Sequence, residues 1–340
     1  MPTIKDVAKE AGVSIATVSY VLNNKDTFVS KETRRQVLEA IERIGYTPNI
    51  TARSLKASQT RLIGYAWHEV PYDQVNPVLD RFTYYLAQAV EAAGYHLLTF
   101  THPLQSPIPV YDEMIRTQRV DAFVLAGTVV EDERIRFLKE AGFPFVSFGR
   151  SNQEWDFPWV DTDGERGVYA ATEYLVKLGH RRIAMAAWPE ESISGQFRVQ
   201  GYLDALRAAG IPQNPDYLLR GEHSEAAGRA ALAYWWDMPA QERPTAIVAI
   251  TDLVAIGIMN EAEKRGLAVG RDVSVIGYDD VPMSQYLRPA LTTVQQPIIE
   301  IGQGLITLLE SVLRQEQPPV QHLLIPPKLV VRDSCGAPTA

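Results

Sequence analysis

Residues Thr3–Asn24 read T-I-K-D-V-A-K-E-A-G-V-S-I-A-T-V-S-Y-V-L-N-N, and their spacing predicts two short helices joined by a tight turn. Thr3 is placed to cap the first helix, with Asp6 three residues on, where a capping box takes an acid. Ile4, Val7, Ala8 and Ala11 form one apolar stripe at helical spacing. Gly12 lets the chain reverse where a β-carbon would be strained. Ser14 can cap the second helix, whose Val18, Val21 and Leu22 pack on the first. Its other face carries Ile15, Ala16, Thr17, Ser19, Tyr20 and Asn23. Such small and hydroxyl-bearing side chains let a helix lie deep in the major groove of DNA.

This stretch resembles, almost residue for residue, the amino-terminal DNA-binding domain of the LacI/GalR family of bacterial transcription regulators, and the match continues through most of the chain. The resemblance implies DNA contacts from Thr3, Ser14, Ile15, Ala16, Thr17, Ser19, Tyr20 and Asn23. The family usually has arginine where this chain has Tyr20. Arginine there reads a guanine bidentately and tyrosine cannot, so a different half-site is expected. Ile15 and Ala16 offer only apolar contact, for example to thymine methyls. Specificity then rests more on the hinge and on DNA deformability.

Outward from the hairpin, Ser30 can cap a third helix to about Ile44, with Val37, Leu38, Ile41 and Ile44 facing inward. Lys31, Arg34 and Arg35 lie near its start, where Arg34 is a candidate phosphate contact. Residues 44–60 follow as I-G-Y-T-P-N-I-T-A-R-S-L-K-A-S-Q-T. Pro48 can begin a helix at Asn49, but two turns are too short to persist alone in water. The segment resembles the family's hinge helix, which pairs with its copy in a dimer and enters the minor groove. That resemblance assigns Asn49 and Ala52 to DNA and makes Leu55 the wedge between the central base pairs.

From residue 61 the texture changes to short apolar runs alternating with amphipathic helices. Strands are expected at Leu62–Trp67, Tyr95–Phe100, Val120–Ala126, Pro144–Phe148, Arg182–Ala187, Thr245–Ile250 and Val273–Tyr278, with closing strands at 321–325 and 328–332. The intervening helices stop at Gly94, Gly142, Gly179, Gly210 and Gly266. Strand–helix alternation over this length means parallel sheets with helices on both faces. The fold class is therefore a small all-α helix-turn-helix domain followed by α/β, two doubly wound parallel-sheet subdomains. By resemblance they are of the periplasmic-binding-protein type. The expected layout is 1–45 for the helix-turn-helix domain, 46–60 for the hinge and linker, 61–333 for an effector-binding and dimerisation domain, and 334–340 as a tail. Within 61–333, the N-subdomain is read as 61–160 plus 291–321 and the C-subdomain as 161–290 plus 322–333.

Ligands in such sheets bind beyond the carboxyl ends of the strands. Arg198 lies in S-I-S-G-Q-F-R-V-Q-G-Y and matches a family segment. Its guanidinium fork can hold neighbouring hydroxyls or a carboxylate, and an arginine near a helix start opposes the dipole. Asp279 ends the strand V-S-V-I-G-Y-D-D, and Asp280 is read as capping the next turn. In T-D-L-V-A-I-G, Asp252 is read as the cap of the helix that it begins. Thr251 stands where the family often has a ligand-contacting asparagine. Trp159 falls where relatives place a pocket aromatic. Ser194, His223 and Gln296 map to further contacts, and Trp67, His68 and Asp80 to weaker ones.

The charge supports this division. The 340 residues carry a net charge of −8, yet residues 1–60 hold nine Lys/Arg against six Asp/Glu. A basic head on an acidic body suits local attraction to phosphates. Hydrophobic residues make up 46% of the chain, with no apolar run of roughly 18 residues as a membrane span needs. The start M-P-T-I-K-D lacks a secretion signal, and a single cysteine, Cys335, fits a reducing cytoplasm. The six histidines show no metal-ligand spacing. There is no G-x-G-x-x-G turn, P-loop or G-x-S-x-G elbow, so neither cofactor, metal nor catalysis is expected. The tail V-V-R-D-S-C-G-A-P-T-A has no leucine heptads, which favours a two-fold dimer on a palindromic operator. The expected function is a DNA-binding regulator controlled by a sugar-like effector. A nucleobase or sugar phosphate is the alternative ligand, and a sugar-transport protein or an enzyme with a DNA domain are rivals from other classes.

Overall fold

The structure, a computed structural model, describes residues 2–22, 29–46, 59–69, 76–103, 105–152, 154–316 and 320–338. The chain divides into two compact units, Met1–Thr60 and Arg61–Ala340.

The first unit holds α1 (Ile4–Glu10), α2 (Ile15–Leu22) and α3 (Lys31–Ile44). At the head of α1, the backbone N–H and hydroxyl of Thr3 both donate to the Asp6 carboxylate, at 2.8 and 2.7 Å. Gly12 has φ +66°, which reverses the chain before Ser14. The Ser14 hydroxyl then accepts the Thr17 N–H at 3.1 Å and starts α2. Ser30 does the same for α3 through Thr33 N–H, also at 3.1 Å. Val7, Ala8, Val18, Val21, Val37 and Ala40 make the buried core, with Ile4, Ala11, Ile41 and Ile44 packed around it. Leu38 was expected inside but is 47% exposed. It follows Val37 by one position, and the helical step turns it away from that core.

The second unit contains two six-stranded sheets. The N-subdomain sheet uses β1 (Leu62–His68), β2 (His96–His102), β3 (Ala122–Leu125), β4 (Phe145–Phe148), β5 (Trp159–Thr162) and β11 (His322–Ile325). Its order is β11-β5-β4-β3-β1-β2, and every pairing is parallel. The C-subdomain sheet uses β6 (Ile183–Ala187), β7 (Leu218–Arg220), β8 (Ala246–Ala249), β9 (Ser274–Asp279), β10 (Thr292–Gln295) and β12 (Lys328–Val330). Its order is β12-β10-β9-β8-β6-β7, with β12 antiparallel on β10. Around the sheets lie α4 (Pro77–Ala92), α5 (Ile108–Arg116), α6 (Glu133–Glu140), α7 (Gly164–Lys177), α8 (Ile193–Ala208), α9 (Glu225–Trp236), α10 (Asp252–Lys264) and α11 (Ile298–Leu313).

The expected subdomain boundaries need correction. Strand 292–295 joins the C-subdomain sheet and strand 322–325 the N-subdomain sheet. The crossovers therefore fall just after residues 162, 295 and 325. A short apolar run shows its periodicity but not its partner, and each misplaced strand lies beside a crossover. The strands β5, β7 and β10, three or four residues each, were not among those expected. The five glycines read as helix stops all have positive φ. Gly201 has a different role: a β-carbon there would lie 2.0 Å from the Glu165 carbonyl oxygen. Its absence lets α8 press on α7 and fixes the helix that carries Arg198.

Candidate functional site

A cavity of about 460 Å³ lies between the two sheets of the second unit, within the range of small-ligand sites. The carboxyl ends of β6, β8 and β9 supply Trp188, Thr251, Tyr278 and Asp279 on one side, where α8 adds Ser194, Phe197 and Arg198. The other side is built by His68 after β1, Asn76, Val78 and Leu79 at the head of α4, Gly127–Val129 after β3, and Phe148. Arg150, Asp161, Thr162 and Gln296 line it near the crossovers.

Arg198 is buried in an aromatic clamp. Its guanidinium carbon lies 3.6 Å from the Tyr278 ring centroid and 4.8 Å from that of Trp188. One terminal N–H donates to the Ile250 carbonyl at 2.7 Å. Arg198 Nε, Trp188 Nε1 and Tyr278 OH are buried without a hydrogen-bond partner among the described residues. Buried polar atoms of this kind carry a desolvation cost of about 1–3 kcal/mol each until something pairs with them. All three belong to residues that line the cavity.

Beside them, Asp279 accepts from Gln296 Nε2 at 2.7 Å, and Gln296 Oε1 accepts from the Thr162 hydroxyl at 2.9 Å. Burial pushes the Asp279 carboxyl up to about 8, against the pull of Arg198. Asp279 and Asp280 also have φ of +123° and +53°, conformations that L-residues adopt only when the surroundings enforce them. His223 is pushed down to about 4 by burial, with Arg198 adding repulsion, so its neutral ring can donate and accept. Across the crossovers, Arg150 Nε donates to buried Asp161 at 2.8 Å, and burial holds that carboxyl above its ordinary value against the pull of Arg150.

Of the residues named from sequence, Ser194, Arg198, His223, Thr251, Asp279, Gln296 and His68 line the cavity together. Trp67, Asp80 and Trp159 are not among its lining residues. Trp67 packs edge-on against Tyr65, 5.5 Å between centroids, on the core side of β1. Asp80 is exposed on α4, turned from the face that carries Val78 and Leu79. Trp159 stacks on His322 of β11 at 4.8 Å with an interplanar angle of 11°. The resemblance places an aromatic of the pocket here, but the pairing of β11 with β5 gives the ring His322 as its partner instead. Aromatic lining comes instead from Trp188, Phe197, Phe148 and Tyr278. Trp188 was legible as the residue just past the β6 strand, at the point where strand order reverses.

Two further readings change. Asp252 is not the helix cap, because the Thr251 hydroxyl accepts the Val254 N–H at 3.3 Å and does that work. Fully buried Asp252 instead accepts from Val281 N–H, Ser284 and Thr293, pinning the loop behind Asp279. Asp280 does not cap a turn; its carboxylate takes Arg332 at 2.6 Å and Gln295 at 2.7 Å. In the first unit, Ile15 is 45% and Tyr20 39% exposed on α2, while the Ser14 and Thr17 hydroxyls lie 2.9 Å apart and bond each other. Arg34 and Ser19 lie on α3 and α2. Asn23, Asn49, Ala52 and Leu55 fall outside the described residues, as does the hinge reading.

Known proteins place this architecture. Residues 3–49 match the family of bacterial regulatory proteins, lacI family, and residues 172–335 the periplasmic binding protein-like domain. The HTH-type transcriptional repressor PurR of Vibrio vulnificus is 34% identical over 98% of each chain. The chain belongs to the LacI family. The repressor CytR of Escherichia coli is 32% identical, covering 98% of this chain and 96% of that one. Among solved structures, a LacI-family regulatory protein from Chloroflexus aggregans is 44% identical, spans 81% of this chain and 99% of its own, and has a TM-score of 0.76. The regulator CelR in complex with cellobiose is 30% identical over 98% of this chain and 100% of that one, at a TM-score of 0.74. The Lac repressor dimer bound to operator and an anti-inducer is 27% identical over 99% of each chain, at 0.83. This LacI-family protein is thus a DNA-binding transcriptional repressor with a helix-turn-helix head and a ligand-binding body. Among its described residues no helix is long and apolar enough to cross a membrane, and no cluster of His, Cys, Asp or Glu is arranged to hold a metal.

Proposed function

We propose that this repressor binds a palindromic operator as a cytoplasmic homodimer, and that a small uncharged polyol, a sugar or sugar-like compound, occupies the cleft and sets its operator affinity. The observation that carries the ligand class is the trio of unpartnered buried groups, Trp188 Nε1, Arg198 Nε and Tyr278 OH. Beside Asp279 and Gln296 they offer donors and acceptors within one pocket, the mixture that vicinal hydroxyls need. Charge argues against a phosphorylated ligand: Arg150 and Asp161 pair with each other, which leaves Glu191 and Glu222 on the cavity lining against Arg198.

A nucleobase remains the second reading, because the Trp188, Phe148 and Phe197 rings suit a flat heterocycle. The resemblance to CelR, whose solved structure is a complex with cellobiose, supports the sugar. Support for a homodimer comes from α4 and α11, which pack on each other and leave Tyr84 and Ile299 61% and 43% accessible. On DNA, Ile15 and Tyr20 are proposed to read base edges from the major groove, with Leu55 as the minor-groove wedge. Operators selected by the full chain from random DNA, then titrated with sugars, nucleobases and sugar phosphates, test the whole reading. A neutral sugar that shifts operator affinity supports it; a response confined to nucleobases or phosphates replaces the ligand.

A further inference from the structure

The segment Asp279–Asp280 is turned two ways. The Asp279 side chain lines the cleft, whereas the backbone carbonyl of Asp280 accepts a hydrogen bond from Arg81 Nη1 at 3.3 Å. Arg81 belongs to α4 of the other subdomain, so this side chain joins the two subdomains, next to the crossover after residue 295, whose Gln295 holds the Asp280 carboxylate. Both residues of the dipeptide have positive φ, and the Asp280 side chain is held by Arg332 and Gln295. A peptide unit clamped in an uncommon conformation moves as one piece when either end is pulled. At its other end, α4 begins with Asn76, Val78 and Leu79 in the cavity wall and packs along α11. One turn beyond Arg81 it presents exposed Tyr84.

We propose that Arg81 is a positioning residue, a strut through which engagement of Asp279 is passed to α4 and hence to the N-subdomain. The proposal rests on the reading of the cleft as the effector site. Ligand on Asp279 reorients the Asp279–Asp280 peptide, the carbonyl carries Arg81 with it, and α4 shifts against its surroundings. The strut also sets the resting separation of the subdomains in the empty protein, which makes it testable with no ligand in hand.

The experiment compares the full chain with Arg81→Ala and Arg81→Lys by hydrogen–deuterium exchange, and measures each on an operator selected from random DNA by the unaltered chain. Arg81→Ala is expected to speed exchange in residues 279–286 across the cleft as well as in α4, and Arg81→Lys to restore both. Operator affinity is expected to change by about fivefold or more in Arg81→Ala, the lower range of allosteric coupling, and to return with lysine. Faster exchange confined to α4 would reduce Arg81 to helix packing and overturn the proposal. An unchanged operator affinity would overturn it as well. If Arg81→Ala does not fold, Arg81→Met keeps the aliphatic stem and gives the same comparison. Since the exchange arm uses neither sugar nor nucleobase, a wrongly assigned effector leaves its outcome untouched.

Discussion

The two walls of the cleft are built from the same kind of sheet and use their polar groups in opposite ways. On the N-subdomain side the strong groups are spent within the fold. Arg134 forks onto Asp132 at 2.9 and 2.6 Å and donates to the Ala126 and Gly127 carbonyls. The Thr128 hydroxyl donates to the Arg150 carbonyl at 2.7 Å, and Ser151 to that of Val129 at 2.8 Å. These bonds freeze the loop that follows β3. On the C-subdomain side Arg198 Nε, Trp188 Nε1 and Tyr278 OH are buried and unspent. The N-subdomain also buries unpartnered atoms, His102 Nε2, Tyr111 OH and Ser147 Oγ, but their residues do not line the cavity, whereas Trp188, Arg198 and Tyr278 do. The proposed ligand recognition therefore rests on the C-subdomain wall.

The largest effect that can break this contrast is on stability. Arg134→Met strands the buried Asp132 carboxylate and should cost about 3–5 kcal/mol, read from urea unfolding. Arg198→Ala should cost clearly less, because burial already favours the neutral form of neighbouring Asp279, yet it should abolish the effector response. A reversed order of the two costs would contradict the division of labour.

A second test is pH dependence. Asp279 is raised by burial to about 8 in the folded protein, so folding favours its protonated form. Its contribution to stability is full at acid pH, below the ordinary carboxylate value, and is lost as pH rises from about 4 through about 8. Stability of the unaltered chain relative to Asp279→Asn should therefore fall across that range; a rise would mean that the carboxylate is held charged. The smallest effect is expected at Thr128→Val, which removes one hydrogen bond worth about 1 kcal/mol and should leave the affinity for effector within error. A marked loss of affinity there would move recognition to the N-subdomain wall.

Much of this contrast could be read in the sequence, and the gaps have physical causes. Arg198, Asp279 and Gln296 were legible because each sits in a distinctive segment at the end of a strand or the start of a helix, where ligands meet α/β sheets. Trp159 misled because an aromatic at a strand end looks alike whether it faces a cleft or stacks on a neighbour. Its neighbour, His322, comes from a strand 163 residues later whose sheet the sequence did not specify. The Asp132–Arg134 pair and the Arg81 bridge to Asp280 went unseen for a related reason. A charge in a helix reads as a solvated face until the fold brings a buried partner to it. The hairpin of α1 and α2 was legible because its caps, stripe and turn are all local, whereas Leu38 on α3, placed inward from its spacing, is exposed.

The most direct test of the central claim is a thermal-shift comparison of the full chain and its Arg198→Ala variant against neutral mono- and disaccharides, nucleobases and sugar phosphates. Ligand that binds the folded state alone raises the Tm in proportion to the logarithm of its excess over Kd. The account predicts a rise with a neutral sugar in the unaltered chain and none in the variant. A rise only with a phosphorylated sugar or a nucleobase, or an equal rise in both proteins, would contradict it.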